Sequence, residues 1–288
     1  MTDAVTKLLE TLDIETLEEN LFRARSPKDS WQRVFGGQVV GQALVAATRT
    51  VKDRFAHSLH GYFIRPGDPT IPIIYEVDRD RDGGSFTTRR VVAIQHGHPI
   101  FNMSVSFQVD EEGFDHQFDM LDVPQPEDLP SDAEQKAKLM DQMPEHIRKF
   151  WQRERPIEFR PVQFRNYKDP QKQPPVQNQW FRITRDPCVS RALNQCILAY
   201  ASDMTLLDTS LLPHGRSFLD RNLQMASLDH SIWFHRSFQL DDWMLYAQDS
   251  PSASGSRGFN RGSIYDRKGR LIASVAQEGL IRQRKRNS

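Results

Sequence analysis

Cysteine is scarce in this sequence: Cys188 and Cys196 are the only two among 288 residues. Their spacing fits neither a Cys-x-x-Cys pair nor a disulfide framework, so a reducing compartment is the default and a cytoplasmic location is expected. Long apolar runs are missing as well. Nothing approaches the roughly 18–20 residues a membrane-spanning helix needs, and membrane insertion is not expected. The N-terminal MTDAVTKLLETLD carries acidic residues where a signal peptide would carry an apolar core. There is no excess of one charge: 38 Lys and Arg balance 38 Asp and Glu, which removes any global attraction to nucleic acid. The glycines form no phosphate loop, because GGQVVG (36–41) fits neither G-x-G-x-x-G nor the P-loop. A nucleophile elbow is also absent, since GGSFT lacks the closing glycine and GSRG is one residue short. The terminal RQRKRNS is a short basic tail without a peroxisomal tripeptide, expected to be solvated.

What is present is organised around residues 190–212, SRALNQCILAYASDMTLLDTSLL. Ser190 is a good helix N-cap, and Pro213 and Gly215 are helix stops. Leu193, Ile197, Tyr200, Met204, Leu207 and Leu211 recur at steps of three and four, which predicts one buried-face helix across the whole stretch. In its middle stands one carboxylate, Asp203. A lone buried charge is costly, so it must be paired, protonated or used. A second wrapped helix is predicted within 34–51, where Val39, Val40, Ala43, Leu44, Ala46 and Ala47 cover most of the circumference.

From residue 57 the period becomes two. HSLHGYFIRPGD, IPIIYEVDRDRDGG, SFTTRRVVAIQ and IFNMSVSFQ read as a meander of strands closed by Gly- and Pro-containing turns. Residues 110–132 are acidic and Pro-rich, the composition of a linker, and 133–154 read as a surface helix interrupted near Pro144. Residues 156–185 alternate weakly and predict two strands around an irregular insertion. After 212 the meander returns in LQMASLDHSIWFHR, WMLYAQDS, SRGFNRGSIYD and LIASVAQEGLIR. GYFIRP (61–66) matches IWFHRS (232–237), and HGHPIFNMSVSF (96–107) matches RKGRLIASVAQE (267–278). Arg65 thereby falls on Arg236 and Gly97 on Gly269. The chain reads as a degenerate duplication, each half a helix followed by a strand meander. The expected layout is an N-terminal unit at 1–110, a linker with a surface helix at 111–155, and a C-terminal unit at 156–288.

FGGQVVGQAL, HSLHGYFIRPGD, GGSFTTRRVVAIQ, YASDMTLL, SLDHSIWFHR, SRGF and AQEG, taken in order, resemble the acyl-CoA thioesterase II family over nearly the whole chain, most weakly at 131–185. The resemblance implies an α+β double hotdog, two tandem units each wrapping a curved antiparallel sheet around a central helix. It implies an acyl-CoA hydrolase that releases medium- to long-chain fatty acid and coenzyme A without metal or organic cofactor. It also implies a homodimer or homotetramer, which light scattering checks. Three positions carry over as catalytic: Asp203 from the Y-A-S-D motif, Ser227 from the strand before D-H-S-x-W-F-H, and Gln277 from Q-E-G. Bacterial members often carry Thr where Ser227 stands; Ser keeps the hydroxyl and loses a methyl.

The residue types suit that chemistry independently. Thioester hydrolysis needs an aimed water, a base and a home for the oxyanion. A buried carboxylate can be the base, a hydroxyl and a carboxamide can complete the water's hydrogen bonds, and N–H groups at a helix start can receive the oxyanion. Each residue also has a plain structural reading, since Asp203 could cap a turn or pair with an Arg and Ser and Gln line many strands. His57, His60, His230 and His235 lie in strands beside aromatics, and His57 and His60 are three apart, a poor geometry for a shared metal. Ser227, Asp229 and His230 would not assemble a local triad, because neighbours in a strand face opposite ways. Arg65, Arg89, Arg236 and Arg257 suit coenzyme A phosphates or plain solvation, and the sequence assigns none of them. Two other readings fit the same fold: a hotdog enoyl-thioester hydratase, which would need an Asp/His or Glu/His pair, and a non-catalytic acyl-CoA binding protein.

Overall fold

Residues small enough to be surrounded form the centre of the molecule. In the computed structural model, which describes residues 3–27, 33–138, 140–142, 145, 148, 152–163 and 166–284, helix α1 spans Ala4–Leu12 and helix α2 spans Gly36–Thr48. Every α2 residue from Gly37 to Ala47 is buried. Sheet strands close over it: β1 (Glu15–Glu18), β2 (Leu21–Ala24), β3 (Phe55–Phe63), β4 (Ile73–Asp82), β5 (Phe86–Gln95) and β6 (His98–Gln108). Strand β6 buries Phe101, Met103, Val105 and Phe107 on one face, as its alternation predicts. Burying one such large side chain contributes about 1.5–3 kcal/mol before conformational entropy is counted.

The second half repeats this plan. Strands β7 (Ile157–Pro161) and β8 (Val176–Ile183) precede a buried helix, here Arg191–Ser202, and β9 (Leu223–Ser227), β10 (Asp229–Phe234), β11 (Met244–Ser254), β12 (Arg257–Asp266) and β13 (Leu271–Gln283) follow it. Among the described residues the thirteen strands form one sheet, ordered β1-β2-β4-β5-β6-β3-β10-β13-β12-β11-β8-β7, with β9 also on β13. Read from the junction outward, β3-β6-β5-β4-β2-β1 and β10-β13-β12-β11-β8-β7 are the same series. In the first half β3 pairs β6 with a register slip at His57. In the second, β9 and β10 both pair β13, with the slip at Leu228. Those positions are 171 residues apart (228 − 57). At the junction His60 pairs with Ser231, again 171 apart (231 − 60), and the imidazole Nδ1 lies 3.0 Å from the Ser231 hydroxyl. Each is the other's counterpart, so a local two-fold axis passes between them. The matched arginines make equivalent bonds, Arg65 donating to the Pro99 carbonyl at 2.7 Å and Arg236 to that of Leu271 at 2.8 Å. The matched glycines are equivalent too, since Gly97 and Gly269 turn their hairpins at φ +74° and +82°, a region that favours glycine.

Three elements differ from the sequence-based expectation. The helix expected over 190–212 ends at Ser202, and after a break at Thr205, whose φ is +74°, the chain resumes as a 3₁₀ segment over Leu207–His214. The strand expected over LQMASLDHSIWFHR is two strands parted at Leu228. Of the helix expected over 133–154, a short one (α3) is seen at Asp132–Ala137, and much of the remainder lies outside the described residues. The segment Arg191–Ser202 is α4 below. Ser190 caps it, its hydroxyl accepting from the Leu193 N–H. No helix among the described residues is long and apolar enough to cross a membrane.

Candidate active site

Helices α2 and α4 pack with almost nothing between their backbones. A Cβ on Gly37 would stand 2.3 Å from the Tyr200 carbonyl oxygen, and one on Gly41 would stand 3.2 Å from that of Cys196. This contact sets the first turn of α2 against the last turn of α4. Asp203 is the C-cap of α4, with helical backbone angles and a side chain only 4% exposed. It therefore stands at a helix end and not mid-helix as the apolar spacing suggested. Its Oδ2 faces α2: a Cβ on Gly36 would lie 2.7 Å from that oxygen. The N-cap residue of α2, Phe35, offers no side-chain cap, so the positive end of that helix dipole faces the carboxylate.

All three residues singled out from the sequence meet here. The Ser227 hydroxyl donates to Asp203 Oδ1 at 3.3 Å, and Gln277 Nε2 donates to the same oxygen at 2.5 Å. Gln277 is wholly buried on β13, and its Oε1 has no hydrogen-bond partner among the described residues. Asn260 faces Gln277 across the β12–β13 ladder and is equally buried, with its own Oδ1 unpartnered. Buried acceptors without partners are uncommon in folded proteins, and these two stand opposite each other on adjacent strands.

The slip at Leu228 adds a fourth residue, one that strand alternation alone would turn away from the site. Ser227 and His230 are three apart and would face opposite ways in an unbroken strand, yet both turn towards Asp203. His230 is fully buried; its Nδ1 lies 3.2 Å from Gln277 Nε2 and 4.0 Å from Asp203 Oδ1. Its Nε2 is 2.8 Å from the Ser202 hydroxyl. Burial pushes its pKa below the ordinary imidazole value although Asp203 pulls the other way, which favours the neutral ring. Asp229, its neighbour, is half-buried and accepts the Glu278 N–H at 2.7 Å instead of bonding the imidazole, so no Ser-His-Asp triad forms.

The other candidates have structural partners. His57 lies 2.7 Å from the Ser106 hydroxyl and His235 2.8 Å from that of Ser274. Arg89 is buried and paired with Asp82, and Arg257 pairs with Glu278. Burial pushes the Cys196 thiol and the Tyr200 phenol each up to about 12, which removes both as nucleophile or acid near neutral pH.

A sheet that wraps a helix twice within one chain, with a carboxylate, a hydroxyl and a carboxamide gathered where the two helices meet, is an α+β double hotdog. A hotdog-fold protein of Alicyclobacillus acidocaldarius shares the architecture at 16% identity, with a TM-score of 0.78 over 97% of this chain and 99% of its own. Residues 147–280 match the family model of acyl-CoA thioesterase, and residues 25–108 match that of the acyl-CoA thioesterase N-terminal domain. Acyl-CoA thioesterase 2 of Haemophilus influenzae is 41% identical over 98% of this chain and 99% of its own. Human acyl-coenzyme A thioesterase 8 is 42% identical over 94% and 87% respectively. The crystal structure of an acyl-CoA thioesterase II from Mycobacterium marinum is similar at 42% identity and a TM-score of 0.78, covering 96% of this chain and 98% of that one. The chain belongs to the acyl-CoA thioesterase family and is a thioester hydrolase.

Proposed function

We propose that this protein hydrolyses medium- to long-chain fatty acyl-CoA to free fatty acid and coenzyme A, using a water held by Asp203, Ser227 and Gln277. One observation carries the reading: a nearly inaccessible carboxylate takes hydrogen bonds from a hydroxyl and a carboxamide on one oxygen and faces an uncapped helix start with the other. Asp203 takes the water's proton as the water oxygen attacks the thioester carbonyl. Ser227 and Gln277 hold the carboxylate and the water in line. N–H groups in the first turn of α2 receive the negative charge that develops on the carbonyl oxygen. Collapse of the tetrahedral intermediate breaks the C–S bond, and Asp203 passes the proton it took from water to the leaving thiolate. The acyl-CoA substrate is supported by the relatives named above.

Thiol release from a series of acyl-CoA substrates, followed with Ellman's reagent, tests the reading and gives the chain-length preference. Asp203→Asn is expected to lower kcat by roughly 10²–10⁴-fold, the range for loss of a positioned general base. Wild-type thiol release by that variant would refute the mechanism. Accumulation of hydroxyacyl-CoA would point to a hydratase, and tight binding without turnover to a sensor.

A further inference from the structure

We propose that His230 is a positioning residue that sets the orientation of the Gln277 amide, and that Ser202 fixes which imidazole nitrogen carries the proton. The proposal rests on the Asp203–Ser227–Gln277 reading and goes one layer outward. A glutamine amide can present either its oxygen or its NH₂ to a neighbour, and only the NH₂ can bond a carboxylate. Something must hold that choice. Gln277 Nε2 has two protons: one is directed to Asp203 Oδ1, and the other to His230 Nδ1 at 3.2 Å. The second bond requires Nδ1 to be bare, so the ring proton must sit on Nε2. That nitrogen lies 2.8 Å from Ser202 Oγ, whose own proton goes to the Ala199 carbonyl at 2.9 Å. The hydroxyl can therefore only accept from the ring, and a single assignment of protons satisfies the whole chain.

The groups that face His230 agree with this. From α4 come Ser202 and Asp203, and from β13 comes Gln277. Behind Ser202, Tyr246 of β11 donates to the Ser202 carbonyl at 2.8 Å, and burial keeps its phenol neutral. None of them offers a proton to Nδ1 except Gln277. With the NH₂ committed twice, Oε1 is the end of the amide left free, buried and unpartnered, to accept from the reacting water. The duplication supplies an independent observation. Aligning the two register slips places Leu59 where His230 stands and Val105 where Gln277 stands. In the first half, histidine and glutamine are both replaced by apolar side chains, as expected of a pair that works as a unit.

His230→Asn and His230→Gln separate the two ends of the ring. Asn places an acceptor near the Nδ1 position and serves Gln277; Gln reaches the Nε2 position and serves Ser202 instead. The kcat and KM for acyl-CoA are measured for both, for Gln277→Ala, and for His230→Gln combined with Gln277→Ala, with a thermal melt of each. The expected result is kcat within about threefold of wild type for Asn and lowered on the order of 10²-fold for Gln, the scale of one lost oriented donor. KM should stay nearly constant, and the double variant should be no slower than Gln277→Ala alone. Equal rates for the Asn and Gln variants, or a double variant slower by the product of the two single effects, would overturn the proposal. Full activity of Gln277→Ala would instead overturn the catalytic reading beneath it.

Discussion

His57, His60, His230 and His235 all titrate below 6.5, and burial is the first cause for each. For His57 the neighbouring His60 adds to the effect, and for His235 Arg236 does. A lowered pKa means that the unfolded chain binds the proton more readily than the folded one. The stability these residues contribute is therefore fully present above 6.5 and is lost as the pH falls through their folded values. Carboxylates whose pKa is lowered, such as Asp82 beside Arg89 and Asp110 beside Arg191, act in the same direction. Their window opens only below about 4. Between pH 6.5 and about 5 the histidines thus dominate. Urea denaturation midpoints should fall across that interval, and His230→Asn, which removes the most buried of the four, should flatten the curve. A midpoint that is constant or rises from pH 7.5 to 5 would contradict this.

At the scale of elements, the α2–α4 crossing is the contact on which the site depends. Alanine in place of a helical glycine ordinarily stabilises by about 0.5–1 kcal/mol. At Gly37 the sign should reverse, because the new Cβ would lie 2.3 Å from the Tyr200 carbonyl, which is backbone and cannot rotate away. Gly37→Ala is expected to lower the melting temperature by several degrees and to lower kcat, since parting the helices moves the start of α2 away from Asp203. A melting temperature at or above wild type would show that the crossing tolerates the methyl group. Such close approaches explain what sequence could and could not convey. The longer strands were legible because one face of each is buried, and β6 and β13 show the alternation directly. Asp203 was legible as a misfit in an apolar stripe. Its place at a helix end was not, because residues 204–212 keep helical spacing while Thr205 adopts a left-handed backbone held by tertiary bonds from Gln179 and Gln248. His230 was hidden for a similar reason: one register slip at Leu228 changes which face it shares with Ser227.

At the scale of the whole molecule, the two halves share an architecture and differ in their chemistry. The local axis between His60 and Ser231 relates Ser227 to Ala56, His230 to Leu59 and Gln277 to Val105. The C-cap of α2 is Arg49 where that of α4 is Asp203. Asn260, with its unpartnered oxygen, is replaced by Arg89, which is 1% exposed and fills its surroundings with bonds to Thr50 Oγ1 at 2.8 Å, the Thr50 carbonyl at 3.1 Å and Asp82 at 2.6 Å. A guanidinium so enclosed cannot leave without unpairing the buried Thr50 hydroxyl and carbonyl, while Asp82, its exposed partner, would be left to solvent. The first-half counterpart of the site thus lacks the carboxylate, hydroxyl and carboxamide, and is packed with a paired arginine. One acyl-CoA should therefore bind per chain, although the fold repeats twice. Titration calorimetry with a non-hydrolysable thioether analogue of acyl-CoA is expected to give one site per chain in the wild type. Gln277→Ala combined with Asp203→Asn should lose turnover while still binding no more than one. Two equivalent sites per chain would mean that the half carrying Arg89 retains a ligand pocket of its own.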